Sequence, residues 1–110
     1  MSDEIQKSIK SIVESNDVVL FMKGTKEAPK CGFSNAIVNA LSFMNVNYKD
    51  VNVLDDNTLR EEIKIFTDWP TIPQLYVKGE FIGGCDIVKD MYKSGELSEV
   101  FKEKNISHNQ

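Results

Sequence analysis

Cysteine is scarce in this chain: its 110 residues hold two, Cys31 and Cys85. Their wide separation fits no zinc arrangement, which needs four Cys or His ligands in paired clusters. A secreted disulfide scaffold of this size carries more cysteines, so a reducing compartment is expected. Long apolar runs are missing as well, none reaching the ~18 residues of a membrane span. A secretory signal is lacking, because Asp3 and Glu4 stand where positive charge and then a hydrophobic run are needed. There is no Arg-rich presequence, so the chain reads as cytoplasmic or as a mature organellar form. Basic excess is absent too, and a net charge of −4 argues against nucleic acid as the main partner. The single histidine, His108, lies in the polar tail and receives no role. What is present is ordinary globular composition, 41% apolar and 27% charged, in a length that suits one domain over residues 1–110.

Hydrophobic periodicity orders the chain. Ile5, Ile9, Ile12 and Val13 recur at helical spacing, and Asn16-Asp17 ends that helix. Residues 18–23 read as a buried strand and 24–30 as a polar loop. A second helix presents Phe33, Ala36, Ile37, Ala40, Leu41 and Met44, and a strand near 48–53 carries Tyr48, Val51 and Val53. Asp55-Asp56-Asn57-Thr58 offers helix caps, and Thr58 with Glu61 fits a capping box, for a third helix whose apolar face is Leu59, Ile63 and Phe66. Trp69-Pro70-Thr71-Ile72-Pro73 breaks it. A hairpin follows, Gln74–Val77 with a partner starting at Phe81. After Gly83-Gly84, Cys85 and Asp86 open a helix with Ile87, Val88, Met91 and Tyr92 facing inward. Leu97, Val100 and Phe101 make a last short helix, and the tail from Asn105 is expected to fray. The order α-β-α-β-α-β-β-α-α predicts an α/β fold: a four-stranded mixed sheet covered by helices on both faces, its first two strands parallel and its last two antiparallel.

The chemistry centres on Pro29-Lys30-Cys31-Gly32-Phe33-Ser34, a cysteine between a loop and a helix start. Unpaired N–H groups and the positive end of the helix dipole favour a thiolate there. The dipole contributes about 0.3–1 kcal/mol, at most ~2, against about 1.36 kcal/mol per pKa unit. Alone it leaves a mixed population; Lys23, at the end of the preceding strand, is the candidate cation to complete the effect. Ser34 stands where a dithiol oxidoreductase has its second cysteine, so Cys31 has no resolving partner beside it. A Cys31–Cys85 disulfide requires Cα atoms within about 7 Å.

Cys31-Gly32-Phe33-Ser34, Trp69-Pro70-Thr71-Ile72-Pro73-Gln74 and Gly83-Gly84-Cys85-Asp86, in this order and at these separations, resemble the monothiol glutaredoxins of the CGFS class. The similarity runs from about Val18 to Phe101. It implies a thioredoxin-like (glutaredoxin) fold, glutathione binding, and a [2Fe-2S] cluster shared between two subunits. Cys31 would be the reactive and metal-ligating residue, with Lys23 and Arg60 pairing a glutathione carboxylate. Ile72 would offer its backbone to the glutathione cysteine, and Pro73 would follow a cis bond. Gly84, Cys85 and Asp86 would meet the γ-glutamyl end. Cys85 alone also reads as a small residue packed at a helix start, and Asp86 as a helix N-cap. A [2Fe-2S] cluster wants four thiolate-type ligands; one Cys31 per chain supplies two across a homodimer, and two glutathiones complete the set. The implied role is cluster transfer to iron–sulfur acceptor proteins in cluster assembly and iron homeostasis. BolA-type proteins are implied partners, and the mitochondrial matrix or the cytoplasm the implied location. The alternative is an enzyme, a glutathione-dependent monothiol disulfide oxidoreductase. Trp69 and Phe66 read as core or groove wall, and Glu61-Glu62 with Lys64 as a solvated helix face.

Overall fold

The computed structural model describes residues 2–108. Helix α1 (Ser2–Ser15) leads into strand β1 (Val18–Met22), helix α2 (Gly32–Phe43) and strand β2 (Lys49–Asn52). A 3-10 turn (Val53–Asp55) joins β2 to α3 (Asn57–Thr67), followed by β3 (Gln74–Val77), β4 (Glu80–Gly83), α4 (Cys85–Ser94) and α5 (Glu96–Glu103). The sheet order is β2-β1-β3-β4. β1 runs parallel to β2 and antiparallel to β3, and β3 pairs antiparallel with β4. The helix-covered mixed sheet is the expected one. The central β1–β3 pairing was not legible, because nothing local in either strand names its neighbour.

Every residue of β1 is buried, as a strand covered on both faces requires. Alternation divides it between two apolar layers. Val18, Leu20 and Met22 face α2, α4 and α5 through Ile37, Leu41, Val88, Leu97 and Phe101. Val19 and Phe21 face α1 and α3 through Ile9, Val13 and Ile63. Each fully buried side chain of this kind contributes roughly 1.5–3 kcal/mol. Gln6 couples the two helices of the second layer, donating to the Glu62 carbonyl and carboxylate, each at 2.9 Å. Lys78 and Gly79 both take positive φ in the β3–β4 hairpin, the backbone a two-residue turn between twisted strands needs.

Several local expectations are corrected. Asp56, not Thr58, caps α3: its carboxylate accepts from Leu59 N–H at 3.1 Å. Both residues are cap formers, and the chain's exit from the 3-10 turn gives Asp56 the extended backbone a cap requires. Val53 belongs to that turn rather than to β2. Gly84 occupies the cap position of α4, so Asp86 falls in the first turn. Phe33, Ile87 and Tyr92 are exposed, since the helical stripes they extend are wider than the sheet beneath can cover. The tail does not fray at Asn105. Ile106 is buried and its N–H donates to the Phe101 carbonyl at 2.7 Å, and His108 pairs with Ser98 at 3.0 Å. Among the described residues no helix is long and apolar enough to cross a membrane.

Candidate functional site

β1 ends at Met22, and the chain then folds back so tightly that Lys30 N–H donates to the Lys23 carbonyl at 2.9 Å. Gly24 makes this reversal possible. It has a φ of 91°, and a Cβ there would lie 2.5 Å from the Ala28 carbonyl oxygen. The loop returns to Cys31, which holds the cap position of α2 in extended backbone (φ −151°, ψ 137°). Its carbonyl accepts from Asn35 N–H at 2.9 Å, while its sulfur stays partly exposed.

Near this loop lies a groove of about 390 Å³, whose lining includes Lys23 and Phe33 but not Cys31 itself. The other residues proposed from sequence all line it: Lys23, Arg60, Ile72, Pro73, Gly84, Cys85 and Asp86. The Ile72–Pro73 bond is cis. Gly84 is required by close approach, because a Cβ on it would sit 3.2 Å from the Pro73 carbonyl oxygen and 3.3 Å from Trp69 Nε1. The 69–73 wall is held from beneath by Gln74. Its buried amide nitrogen donates to the Trp69 and Thr71 carbonyls, both at 3.2 Å, and its oxygen accepts from the Tyr76 hydroxyl at 3.0 Å. Arg60 Nε and Trp69 Nε1 are buried donors with no protein acceptor. Orphan donors beside a cation-lined groove suit a ligand rich in carboxylate and amide oxygens.

The two thiols are driven in opposite directions. Partial burial pushes Cys31 up, but the Ser34 and Phe33 N–H groups, the Lys23 charge and the Ser34 hydroxyl outweigh it, so it lies below the ordinary cysteine value. For Cys85 burial again pushes up. Lys89 offsets this only in part, while Asp86 and Cys31 add to it, and the thiol stays above the ordinary value. Both cysteines are free. Thus the surroundings ease ionisation of one sulfur and oppose it at the other.

A family model described as glutaredoxin matches residues 18–82. The chain belongs to the glutaredoxin family. "Probable monothiol glutaredoxin 2" of Rickettsia typhi is 52% identical over 94% of this chain and 94% of its own length. "Monothiol glutaredoxin-5, mitochondrial" of Saccharomyces cerevisiae is 54% identical over 94% of this chain and 71% of its own. The solution structure of a monomeric truncated mutant of Trypanosoma brucei 1-C-Grx1 matches with a TM-score of 0.87 at 39% identity, covering 96% of each chain. The monothiol assignment and the thioredoxin-like fold both stand on these likenesses.

Five groove residues of this glutaredoxin have no site role in the sequence reading: Phe33, Lys64, Pro70, Thr71 and Ile87. Lys64 was taken for a solvated charge, yet it lines the groove beside Arg60. The signal was available, because residues four apart share a helix face. Phe33 and Ile87, taken for core, form apolar parts of the lining.

Ser34 has a second function besides withholding a resolving thiol. Fully buried, its Oγ accepts from Lys23 N–H at 3.1 Å, and its hydroxyl favours the Cys31 anion. Two outcomes follow. At neutral pH iodoacetamide should label Cys31 well ahead of Cys85, read by peptide mass spectrometry over time. Ser34→Ala should move the midpoint of the Cys31 alkylation profile to higher pH, since the proton is released less readily without that donor; an unmoved midpoint would remove the hydroxyl from the account.

Proposed function

We propose that this glutaredoxin binds glutathione in the groove and, paired with a second copy, carries a [2Fe-2S] cluster that it hands to iron–sulfur acceptor proteins. The observation that carries the reading is Cys31: a half-buried free thiol whose ionisation its surroundings favour, with serine, not cysteine, three residues on. A soft anion that cannot close a disulfide with its neighbour is free to ligate iron. Among the described residues no group of three or more Cys, His, Asp or Glu is placed to hold a metal, so one chain supplies too few ligands. One Cys31 from each of two chains and one glutathione sulfur at each groove complete four. Lys23, Arg60 and Lys64 would meet the tripeptide's carboxylates, and Arg60 Nε would gain the acceptor it lacks. Ile72, Pro73, Gly84, Cys85 and Asp86 would line its backbone and γ-glutamyl end. Two diffusible ligands in four make the cluster easy to pass on by thiolate exchange, and BolA-type proteins are proposed among its partners.

The lowered Cys31 value favours a second reading, monothiol disulfide exchange. There the Cys31 thiolate attacks the glutathionyl sulfur of a protein mixed disulfide and expels the protein thiolate. A second glutathione thiolate then attacks the Cys31–glutathione disulfide, releasing oxidised glutathione and regenerating Cys31. Anaerobic reconstitution with iron and sulfide, with and without glutathione, separates the two. Visible absorption and dimer sedimentation that need glutathione and survive Cys85→Ser support cluster carriage. A colourless monomer that rapidly reduces glutathionylated substrates would replace it with the enzymatic reading.

A further inference from the structure

Asn52 ends β2 and carries no ionisable or nucleophilic group. Its side-chain oxygen nevertheless joins two segments that hold the groove's cations. Oδ1 accepts from Gly24 N–H at 2.9 Å and from Leu54 N–H at 3.0 Å. Both partners are backbone donors, so the oxygen, not the amide nitrogen, must face them. Gly24 directly follows Lys23. Leu54 lies in the 3-10 turn that feeds α3, which carries Arg60.

Backbone bonds pin Lys23 on every side. Its own N–H goes to Ser34 Oγ at 3.1 Å, its carbonyl accepts from Lys30 at 2.9 Å, and the next N–H is held by Asn52. The first two anchors belong to the active-site loop and its helix. Asn52 alone of the three ties Lys23 to the α3 side of the groove. The loop packs so closely on Gly24 that no Cβ would fit, so a shift of Gly24 is passed on to its neighbour Lys23.

We propose that Asn52 is a positioning residue that sets the spacing of Lys23 against Arg60, and with it the affinity of the groove for a dicarboxylate tripeptide. This rests on the glutathione reading above and extends it to a residue that touches no ligand. One amide oxygen serving two donors holds both segments at one separation, and an isosteric side chain without the oxygen frees them to drift.

Three variants test it, each compared with the unaltered parent chain, with Cys31 labelling read on its own peptide. Asn52→Leu removes the acceptor. Asn52→Ser keeps a short oxygen able to cap the 3-10 turn but too short to span to Gly24. Asn52→Asp keeps an acceptor for both N–H groups. The readouts are glutathione affinity by calorimetry and the ratio of Cys31 alkylation rates with anionic iodoacetate and neutral iodoacetamide at one pH. That ratio reports the cations around the sulfur and needs no bound glutathione. Asn52→Leu and Asn52→Ser should each weaken glutathione about tenfold and lower the ratio at least threefold, and Asn52→Asp should recover most of both. If Asn52→Leu does not fold, Asn52→Ser, with its turn cap intact, carries the same comparison. Wild-type affinity and ratio in Asn52→Ser would overturn the proposal, as would equal losses in Asn52→Asp. If the parent fails to bind glutathione, the glutathione reading falls, and the alkylation ratio still decides whether Asn52 positions Lys23.

Discussion

Cys31→Ser is expected to abolish the glutathione-dependent visible absorption after reconstitution, to the level of a protein-free control, while the fold persists. Serine keeps the shape of the side chain and replaces a soft, ionisable sulfur with a hard hydroxyl that stays protonated at neutral pH. Iodoacetamide incorporation should fall to the slow residue at Cys85, whose thiol is held neutral. Stability should be unchanged or slightly raised. Cys31 sits at the cap position of α2 with no capping hydrogen bond, and serine is a good cap there, worth roughly 0.5–2 kcal/mol. Glutathione affinity should drop only a few-fold, because the carboxylate contacts proposed for Lys23, Arg60 and Lys64 survive. Such a split, with binding largely kept and colour lost in a protein at least as stable, assigns the sulfur to chemistry rather than to architecture. Retained colour in a dimer of the variant would show that the cluster is held elsewhere.

The second large effect is on stability. Gln74→Leu should destabilise the protein by about 3 kcal/mol, since each buried polar group left without a partner costs about 1–3 kcal/mol. Leucine fills the space of the fully buried glutamine but takes the acceptor from the buried Tyr76 hydroxyl and the donor from the part-buried bonds to the Trp69 and Thr71 carbonyls. Against a total of ~5–15 kcal/mol this is a substantial loss. Thermal unfolding should move down by roughly 10–20 °C for a protein of this size. Adding Tyr76→Phe removes one stranded hydroxyl and should restore about 1 kcal/mol. The groove should loosen as well, because the 69–73 wall loses its support, and glutathione should bind more weakly even in the fraction that remains folded. A melting temperature within a few degrees of the parent would mean that water satisfies those carbonyls and that the wall holds itself.

Cys31 without a neighbouring cysteine is legible in the chain as written, and the seven residues the motifs single out beside it share one groove. Cys31, Ser34 and the 69–73 run are local: their meaning lies in which residue follows which and in the helix start beside them. The same holds for the element order and for the continuous burial of β1. The stretch Asp55-Asp56-Asn57-Thr58 offers several cap formers, and only the path of the chain chooses Asp56 among them. Lys64, Phe33 and Ile87 were misjudged because a helical stripe says which side chains share a face but not how far the opposing sheet extends.

Asn52 and Gln74 mark the deeper boundary. Each is an ordinary amide in a strand, and each acts on backbone groups that no side-chain pattern reveals. Asn52 reaches a loop 28 positions away, and whether its oxygen meets that loop depends on the register Met22 opposite Asn52 in the parallel pair. Sequence order therefore specified the reactive atom and the types of residue around it, because chemistry and local backbone preference travel with residue identity. The separation of the cations and the support of the groove wall came from strand register and chain crossing. Those are collective outcomes of packing two apolar layers on one twisted sheet, and no single stretch of the chain encodes them.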